Sequence, residues 1–395
     1  MGTAVMLFTR DLRVHDNPAL AAACGAEAVV PLYVDDPARA ASPVRRRFLA
    51  ESLADLRGSL RGLGGDLLVR RGDTVREVVR ACADAGAASV HCADDFGRFE
   101  SGLRERLREA CDAAGVVLRT APGVTALAPG AVLPSTGGDH YKVFTPYWRA
   151  WSRAPRRPVE PAPERVRLPE GVTGGDPAAV LGPVPGANPA FPGGEAAAAD
   201  RLDQWAPRAE DYPELSDDLA ADATSRLSPY LSFGCLSPRV LAADPRLPDA
   251  FVRQLCWRDF HHQVLAAFPD LARDAYRGDG DWAEDPAALD AWRRGETGIA
   301  IVDAGMRQLL AEAWMPGRAR LVCAAYLTKT LGLDWRHGAA WFAERLVDLD
   351  EANNAGNWQW TAGTGNDTKP YRRFSHERQA ARFDPDGAYR RRWAP

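Results

Sequence analysis

The chain has 395 residues, of which 46% are hydrophobic and 26% are charged, and its formal net charge is -4. At about 100–200 residues per domain, this length predicts two or three domains, each able to bury a core. The slightly negative net charge excludes a uniformly basic protein that coats nucleic acid. No apolar run reaches the ~18 residues that a membrane span requires, and the first residues have no signal-peptide pattern. We therefore expect a cytoplasmic protein that does not contact membranes.

Residues that often bind metals are scattered through the chain. The 7 cysteines include no Cys-x-x-Cys pair, which argues against a disulfide framework and against a cysteine zinc site. His261 and His262 are adjacent, but neighbouring side chains on a helix diverge by about 100° and no third ligand is evident. We predict no metal site and a structural or ligand-side role for this histidine pair.

The first 125 residues alternate between short apolar runs and helical stretches. The runs predict strands at residues 4–9, 28–34, 66–70, 88–92 and 116–119. Between them, Ser42-Pro43 is typical of a helix start, and Thr74-x-x-Glu77 has the spacing of a capping box. Strands that alternate with helices over short connections predict a doubly wound parallel sheet, so residues 1–125 form an α/β domain.

A dinucleotide site of the Rossmann type is not evident in this domain. The first strand is followed by residues 9–13, with the sequence TRDLR, where a G-x-G-x-x-G motif would be required. The glycines at 62, 64 and 65 lie between a predicted helix and a predicted strand, which is typical of a helix C-terminus.

The chain changes character after residue 125. Dense proline and glycine predict a long surface connection over residues 126–200. From residue 201 to 395, apolar residues recur at spacings of three and four, as at Phe251 and Leu255, which predicts an all-α domain. This region holds ten of the 12 tryptophans. Its end is locally basic, at Arg372-Arg373 and at residues 390–392, and such a patch either faces phosphate or is a solvated surface.

Residues 348–360 (DLDEANNAGNWQW) combine carboxylates, asparagines and two tryptophans in one short segment. Such a cluster is typical of a site for a planar ligand, although a polar loop with two core tryptophans has the same composition.

Six segments resemble the photolyase/cryptochrome family, and specifically the microbial class I cyclobutane pyrimidine dimer photolyases. They are residues 8–18 (FTRDLRVHDNP), 141–146 (YKVFTP), 224–228 (TSRLS), 257–260 (WRDF), 298–307 and 348–360. They span nearly the whole chain in the family's order. The resemblance implies an N-terminal antenna-type α/β domain, a linker and a helical domain that binds FAD and DNA.

The resemblance implies a set of FAD-binding residues. Arg320 and Asp348 match an ion pair beside the isoalloxazine ring, Asp350 matches the acceptor of the ring's imide N–H, and Asn354 matches the residue that faces flavin N5. The segment for the FAD phosphates and ribityl chain corresponds to Tyr212, Thr224, Ser225, Arg226, Leu227 and Ser228. A hydroxyl-rich segment with an arginine at a helix start suits an anion.

The resemblance also implies the reaction, which is the light-driven repair of pyrimidine dimers by a deoxyribodipyrimidine photolyase, a carbon–carbon lyase. Photoexcited reduced FAD gives an electron to a flipped-out dimer in damaged double- or single-stranded DNA. Trp358, Trp335 and Trp282 match a chain that carries electrons to the flavin. The residues that match contacts to the dimer or to DNA are Gln254, Trp257, Arg318, Leu321, Trp360, Arg372 and Arg373.

A second, light-harvesting chromophore is also implied, either a folate or a deazaflavin. Its candidate contacts are Asp35, residues 45–47, Asp94 and Glu100. We expect Arg10 and Arg13, at the end of the first strand, to be structural, and we expect a monomer.

The substrate pocket departs from the family pattern at several positions, among them Ser375-His376 in place of an Asn-Pro pair. Gln254 replaces a glutamate, Gly317 replaces an asparagine, Leu321 replaces a methionine and Ser216 replaces an arginine. A flavin photoreceptor of the cryptochrome kind, without dimer repair, is therefore the alternative. The (6-4) photolyases are disfavoured because neither paired pocket histidines nor four cysteines in the C-terminal half are present.

Overall fold

The protein is described by a computed structural model that covers residues 2–39, 42–184, 188, 190–366 and 374–394. Five parallel strands form one sheet in the order β3-β2-β1-β4-β5. The strands are β1 (Thr3–Phe8), β2 (Ala28–Asp35), β3 (Leu68–Arg71), β4 (Ala87–Asp94) and β5 (Val117–Pro122). Each lies within three residues of its predicted position, which confirms the predicted sheet.

Four helices connect these strands: α1 (Pro18–Ala23), α2 (Pro43–Gly62), α3 (Thr74–Ala85) and α4 (Arg98–Ala113). The central strands are buried, and Val5, Leu7, Val30, Leu32 and Val90 form part of their core. β1 pairs with β2 on one side and with β4 on the other, so the chain reverses its direction of strand addition there. Ligands of open α/β sheets bind at the carboxyl ends of the strands at such a point.

Two helix starts differ in detail from the sequence prediction. Ser42 is the N-cap of α2 and Pro43 is its first residue, but the Ser42 side chain makes no capping hydrogen bond. The N-cap of α3 is Asp73, whose side chain accepts from Arg76 N. The predicted capping box with Thr74 as the cap is therefore wrong by one residue, because Asp73 takes that role and the Thr74 hydroxyl donates to Asp36 at 2.7 Å.

The chain divides into two compact units that are not contiguous in sequence. The first comprises Met1–Ala128, Pro155–Gln204 and Leu227–Asp244, and the second comprises Pro129–Ala154, Trp205–Arg226 and Pro245–Pro395. The proline-rich connection is partly built into the first unit, since Val166 and Leu181 are buried and Val166 N donates to Leu63 O at 2.9 Å.

The remaining helices are α5 (Phe144–Arg153), α6 (Pro177–Leu181), α7 (Glu195–Trp205), α8 (Tyr212–Leu215), α9 (Ser228–Phe233), α10 (Pro238–Leu241), α11 (Asp249–Ala267), α12 (Pro286–Arg294), α13 (Ala300–Glu312), α14 (Gly317–Ala325), α15 (Trp335–Arg345), α16 (Glu351–Ala362), α17 (His376–Phe383) and α18 (Ala388–Arg392). The predicted helical character of the C-terminal part is confirmed. Its core includes Trp292, Met306, Trp335, Phe342 and Trp358. None of the helices in the described ranges is long and apolar enough to cross a membrane.

Candidate functional site

Asp350 joins α11 to the start of α16. Its side chain caps α16, because Oδ1 accepts from the backbone N of Asn353 at 3.0 Å and from Asn353 Nδ2 at 2.8 Å. Oδ2 lies 3.0 Å from His262 Nε2 and 3.3 Å from Arg258 Nη2, both on α11. All four side chains are buried or half-buried. One carboxylate therefore fixes the register of the two helices that carry Gln254 and Trp257 on α11 and Asn354 and Trp360 on α16.

The adjacent histidines of α11 have different surroundings. Burial lowers the pKa of His261 to about 4, so its imidazole is neutral near pH 7. His261 packs on Gly356 of α16, where a Cβ would overlap the imidazole ring. His262 points to Asp350, so both histidines contact α16 or the residue that caps it. Among the described residues, no group of three His, Cys, Asp or Glu side chains is arranged to hold a metal ion.

Arg320 and Asp348 form an ion pair, with 2.7 Å between Arg320 Nη2 and Asp348 Oδ2. The guanidinium is anchored at the start of α14, since Nε donates to the Met315 carbonyl at 2.9 Å. The other oxygen of Asp348, Oδ1, is buried and has no hydrogen-bond partner among the residues that the structure describes. A buried carboxylate oxygen without a donor is costly, so this atom is suited to a ligand that supplies an N–H or O–H.

The segment expected to hold phosphates has a second unsatisfied polar group, because the Thr224 hydroxyl is buried without a partner in the described part of the chain and is free to donate. Arg226 has a positive φ of 52° and its guanidinium pairs with Asp222 at 2.7 Å and Glu312 at 3.2 Å. Burial raises the pKa of Tyr212 to about 12, so its hydroxyl stays protonated and can donate. Ser225 is half-buried. Leu227 and Ser228 belong to the first unit.

Asn354 lies on α16 with a fixed amide orientation. Its Nδ2 donates to the carbonyl of Ala339, on α15, at 3.1 Å. The side chain is half-buried and carries no proton that titrates near neutral pH. At this position a ligand meets an amide rather than an acid.

The three tryptophans of the expected electron chain lie in or against one core. Trp358 is 2% exposed and its ring contacts Phe342, with centroids 5.0 Å apart. Trp335 is fully buried and its Nε1 has no hydrogen-bond partner. Trp282 packs on the edge of this core and is half-buried. Trp292, which carries no family motif, is also fully buried, and its ring centroid lies 6.1 Å from that of Trp358.

Trp257 has an aromatic neighbour that the sequence did not reveal. Its ring stacks on Phe144 with centroids 3.6 Å apart and an interplanar angle of 5°. Arg253 lies over the other side of this platform, 5.4 Å from the Phe144 centroid. Phe144 belongs to the YKVFTP segment and is the first residue of α5. A single aromatic residue at the start of a helix carries no sequence signal that identifies its stacking partner.

The other expected DNA contacts differ in their surroundings. Gln254 is exposed, and Leu321 and Trp360 are half-buried. Arg318 pairs with Asp217 at 2.5 Å and lies 4.1 Å from the Phe383 centroid, so its guanidinium is held in place. Arg372 and Arg373 lie outside the described residues.

A small cleft of about 30 Å³ lies at the carboxyl ends of β1 and β4. Its lining includes Thr9, Arg39, Asp95, Glu100 and Arg104. Of the residues expected to contact a second chromophore, Glu100 lines the cleft and Asp94 pairs with the lining Arg104 at 2.6 Å. Asp35 pairs instead with Arg46 at 3.1 Å and is not part of the lining, and Arg47 pairs with Glu51.

The two carboxylate oxygens of Glu100, which lines this cleft, differ in their hydrogen-bond partners. Burial, together with the nearby Asp95, raises the pKa of Glu100, although Arg39 Nη2 lies 3.3 Å from its Oε1. Its Oε2 is buried and receives no hydrogen bond from any described residue. The cleft therefore offers a ligand an acceptor that the protein leaves unused.

Arg13 is structural, as predicted. Its buried guanidinium donates to the carbonyls of Asp16, Gly123 and Gly234 at 2.8–3.0 Å. Arg10 bonds to the Ser232 carbonyl and to Asp95.

Comparison with known proteins identifies the family. Residues 4–166 match the family described as DNA photolyase, and residues 251–395 match the FAD binding domain of DNA photolyase. The chain is 48% identical over 410 residues to a deoxyribodipyrimidine photo-lyase of Streptomyces griseus, covering 100% of this chain and 90% of that protein. This chain belongs to the DNA photolyase family.

Cryptochromes are also similar to this photolyase-family chain. A cryptochrome DASH of Natronomonas pharaonis is 36% identical over 435 residues, covering 100% of this chain and 89% of that protein. A solved archaeal photolyase of Sulfolobus tokodaii, which contains two FAD molecules, matches with a TM-score of 0.90 and 29% identity. That match covers 99% of this chain and 90% of the other.

The cofactor of this family member is FAD, because its helical part matches the family's FAD-binding domain. The residues present fit such a ligand. Asp348 Oδ1 and Thr224 Oγ1 are the kind of buried polar groups that a large polar cofactor satisfies.

Proposed function

We propose that this protein is a deoxyribodipyrimidine photolyase that uses light to split cyclobutane pyrimidine dimers in DNA. The observation that carries the proposal is the full-length similarity to the Streptomyces griseus photo-lyase at 48% identity. The orphaned Asp348 oxygen beside Arg320 supports it, since no described residue donates a hydrogen bond to this buried acceptor.

The FAD is held, in this proposal, by Tyr212, by Thr224 to Ser228, by the Arg320–Asp348 pair and by Asp350 and Asn354. When bound and reduced, it supplies the electron that a dimer needs for its cyclobutane bonds to break. Asn354 presents an amide with no proton to give up, which favours an anionic flavin. His261, neutral because of its burial, adds no positive charge to the adjoining helix.

The protein's own part in repair is to extrude, stack and hold the dimer. Trp257, stiffened by its stack on Phe144, forms one aromatic wall, and Trp360 forms another. Gln254 is placed on the exposed face of α11 one turn before Trp257, where its amide hydrogen-bonds pyrimidine edges. Arg318, fixed by Asp217, contacts a phosphate, and we assign the same role to Arg372 and Arg373 from the family pattern.

Trp358, Trp335 and Trp282 supply electrons that convert oxidised flavin to its working state. Indole is the most readily oxidised of the ring side chains in this core, and burial of Trp358 and Trp335 keeps water away from them.

The cleft at the ends of β1 and β4 is, in this proposal, the second chromophore site. Its place at the switch point of the sheet and the unsatisfied Glu100 oxygen support this assignment. The Sulfolobus tokodaii photolyase holds two FAD molecules, so a flavin joins folate and deazaflavin as a candidate occupant.

A photoreceptor without repair is the second candidate. The observation that favours it is the altered pocket, where Gln254 is uncharged and Gly317 begins α14 with open space around its Cα. Dimer recognition separates the two functions, and it can be measured in the dark at equal flavin content.

Binding of an oligothymidine with and without a cyclobutane dimer tests the proposal. We expect the damaged strand to bind at least tenfold more tightly, and Trp257→Ala to remove most of this preference, because stacking of one base is worth about 1–3 kcal/mol. Trp393→Ala, a tryptophan outside the proposed pocket, is the matched control. Equal binding of both strands by the wild type would favour the photoreceptor.

A further inference from the structure

The two chain segments that carry Trp282 and Trp335 are joined by a short backbone contact. Ala283, next to Trp282, forms a parallel bridge with Leu333, and its N donates to the Gly332 carbonyl at 2.8 Å. Trp335 follows two residues later as the first residue of α15, which Asp334 caps. The outer two tryptophans of the proposed chain thus lie on adjoining segments.

An aspartate contacts the indole of Trp282 directly. Asp279 Oδ1 accepts the Trp282 Nε1–H at 3.0 Å, and the backbone N of Gly280 also donates to this oxygen at 3.1 Å. The Arg336 guanidinium, which donates to Asp279 at 2.7 Å, lowers the pKa of this carboxyl. Asp279 is therefore an anion at neutral pH, and about half of its side chain is exposed to water.

The cation of this ion pair lies over the other tryptophan. The guanidinium carbon of Arg336 is 4.9 Å from the centroid of Trp335. Its position is fixed, since Nε donates to the Arg273 carbonyl at 2.6 Å and Nη1 lies 3.1 Å from Asp334. The positive guanidinium of Arg336 thus lies over the ring of Trp335, and the negative carboxylate of Asp279 accepts the indole N–H of Trp282.

This arrangement favours an electron vacancy on Trp282 over one on Trp335. A guanidinium over a ring opposes the oxidation of that ring, whereas a carboxylate bonded to an indole N–H stabilises the positive charge that oxidation creates. Asp334 shares the guanidinium with Asp279, so the net charge of the three groups is negative and Arg336 stays protonated.

We propose that the Asp279–Arg336 pair drives the last electron transfer of photoreduction, from Trp282 to oxidised Trp335, and that Asp279 takes the indole proton of oxidised Trp282. The inference rests on the proposed function, in which these tryptophans feed the flavin. One electron passes from Trp282 to the Trp335 radical cation. The Trp282 N–H bond then breaks, its proton goes to Asp279 and later to water, and a neutral indole radical remains until an external thiol reduces it.

The test uses the protein loaded with oxidised FAD and the variant Asp279→Asn, which keeps an acceptor for the indole but loses the charge. Asp290→Asn on α12 is the matched control, since Asp290 pairs with Arg293 in the same kind of surface ion pair. After a laser flash, we expect the conversion of the tryptophan radical cation to the neutral radical to slow by about tenfold or more in D279N, because a contact charge and its proton affinity are lost. D290N should match the wild type, and Arg336→Lys should lie between D279N and the wild type.

A second readout does not depend on photochemistry. In protein labelled with ¹⁵N-tryptophan, the indole N–H resonance of Trp282, assigned with Trp282→Phe, should move upfield in D279N and stay in place in D290N. Wild-type radical kinetics in a D279N protein with a shifted resonance would overturn the inference and leave the tryptophan chain intact. A wild type that forms no tryptophan radical after the flash would overturn both the inference and the proposed electron route.

Discussion

The indole of Trp358, on α16, lies against the backbone of Gly338, on α15. A Cβ at residue 338 would overlap the edge of the indole, and it would also press on Leu327. Both helices are well packed here, with Gly338 and Trp358 buried. The glycine is therefore required by close approach and not by a turn, and it sets the depth of the tryptophan beside the proposed flavin site.

We predict that Gly338→Ala destabilises the protein by about 1–3 kcal/mol, the usual cost of forcing extra volume into a packed core. It should also slow flavin photoreduction, because the Trp358 ring must move. Gly58→Ala is the control, since Gly58 is an exposed position within α2 with no atom within 4 Å of a Cβ. G58A should gain about 0.5–1 kcal/mol from helix propensity. Urea unfolding measures both, and an unchanged G338A would refute the packing argument.

The neutral state of His261 predicts a dependence of stability on pH. Its pKa is about 4 in the folded protein, below the ordinary value of 6.5, so the unfolded chain binds a proton more readily. The free energy of unfolding should therefore fall as the pH drops from about 6.5 to about 4, by about 3 kcal/mol in total from this group. Above pH 7 the contribution is constant.

Urea unfolding at several pH values checks this, with His261→Gln as the variant. The fall in stability below pH 6.5 should be smaller in H261Q than in the wild type, whatever the variant's stability at pH 7. Parallel curves for the two proteins would show that folding does not lower the pKa of His261.

We predict that replacing the buried Glu100 by a neutral glutamine stabilises the folded protein at pH 7. The pKa of Glu100 is raised by burial, so the folded protein resists its ionisation, and stability from this group falls as the pH rises through the carboxyl range. Glu100→Gln should raise the melting temperature at pH 7 and leave it little changed at pH 4. Glu105→Gln, at an exposed position of the same helix, should have no such effect. A lower melting temperature for E100Q at pH 7 would mean that the pair with Arg39 outweighs burial.

The central strands of the sheet were predictable because they are nearly continuous apolar runs. Strands such as β1 and β2 are buried along most of their length, so their position follows from hydrophobicity alone. Which chain segments belong to each of the two units was not predictable from hydrophobicity. Residues 155–204 join the sheet unit through contacts such as Val166 N to Leu63 O, which link segments about a hundred residues apart.

For the candidate site, the family motifs located the side chains but not their partners. The Arg320–Asp348 pair was expected from the resemblance, and the structure brings these residues together. The stack of Trp257 on Phe144 and the bond from Trp282 to Asp279 were not foreseen. Both depend on tertiary packing between loops and helices that have no periodic pattern, and Asp279 alone is an ordinary loop residue.

The central claim is that this protein repairs pyrimidine dimers with light, and a repair assay tests it most directly. Chemically reduced, FAD-loaded protein would be mixed with an oligothymidine that carries cyclobutane dimers, and thymine absorbance followed under blue light and in the dark. We predict that absorbance recovers in the light only, with many dimers repaired per protein molecule. Loaded flavin without recovery in the light would contradict the claim and would identify Gln254 and Gly317 as marks of a photoreceptor.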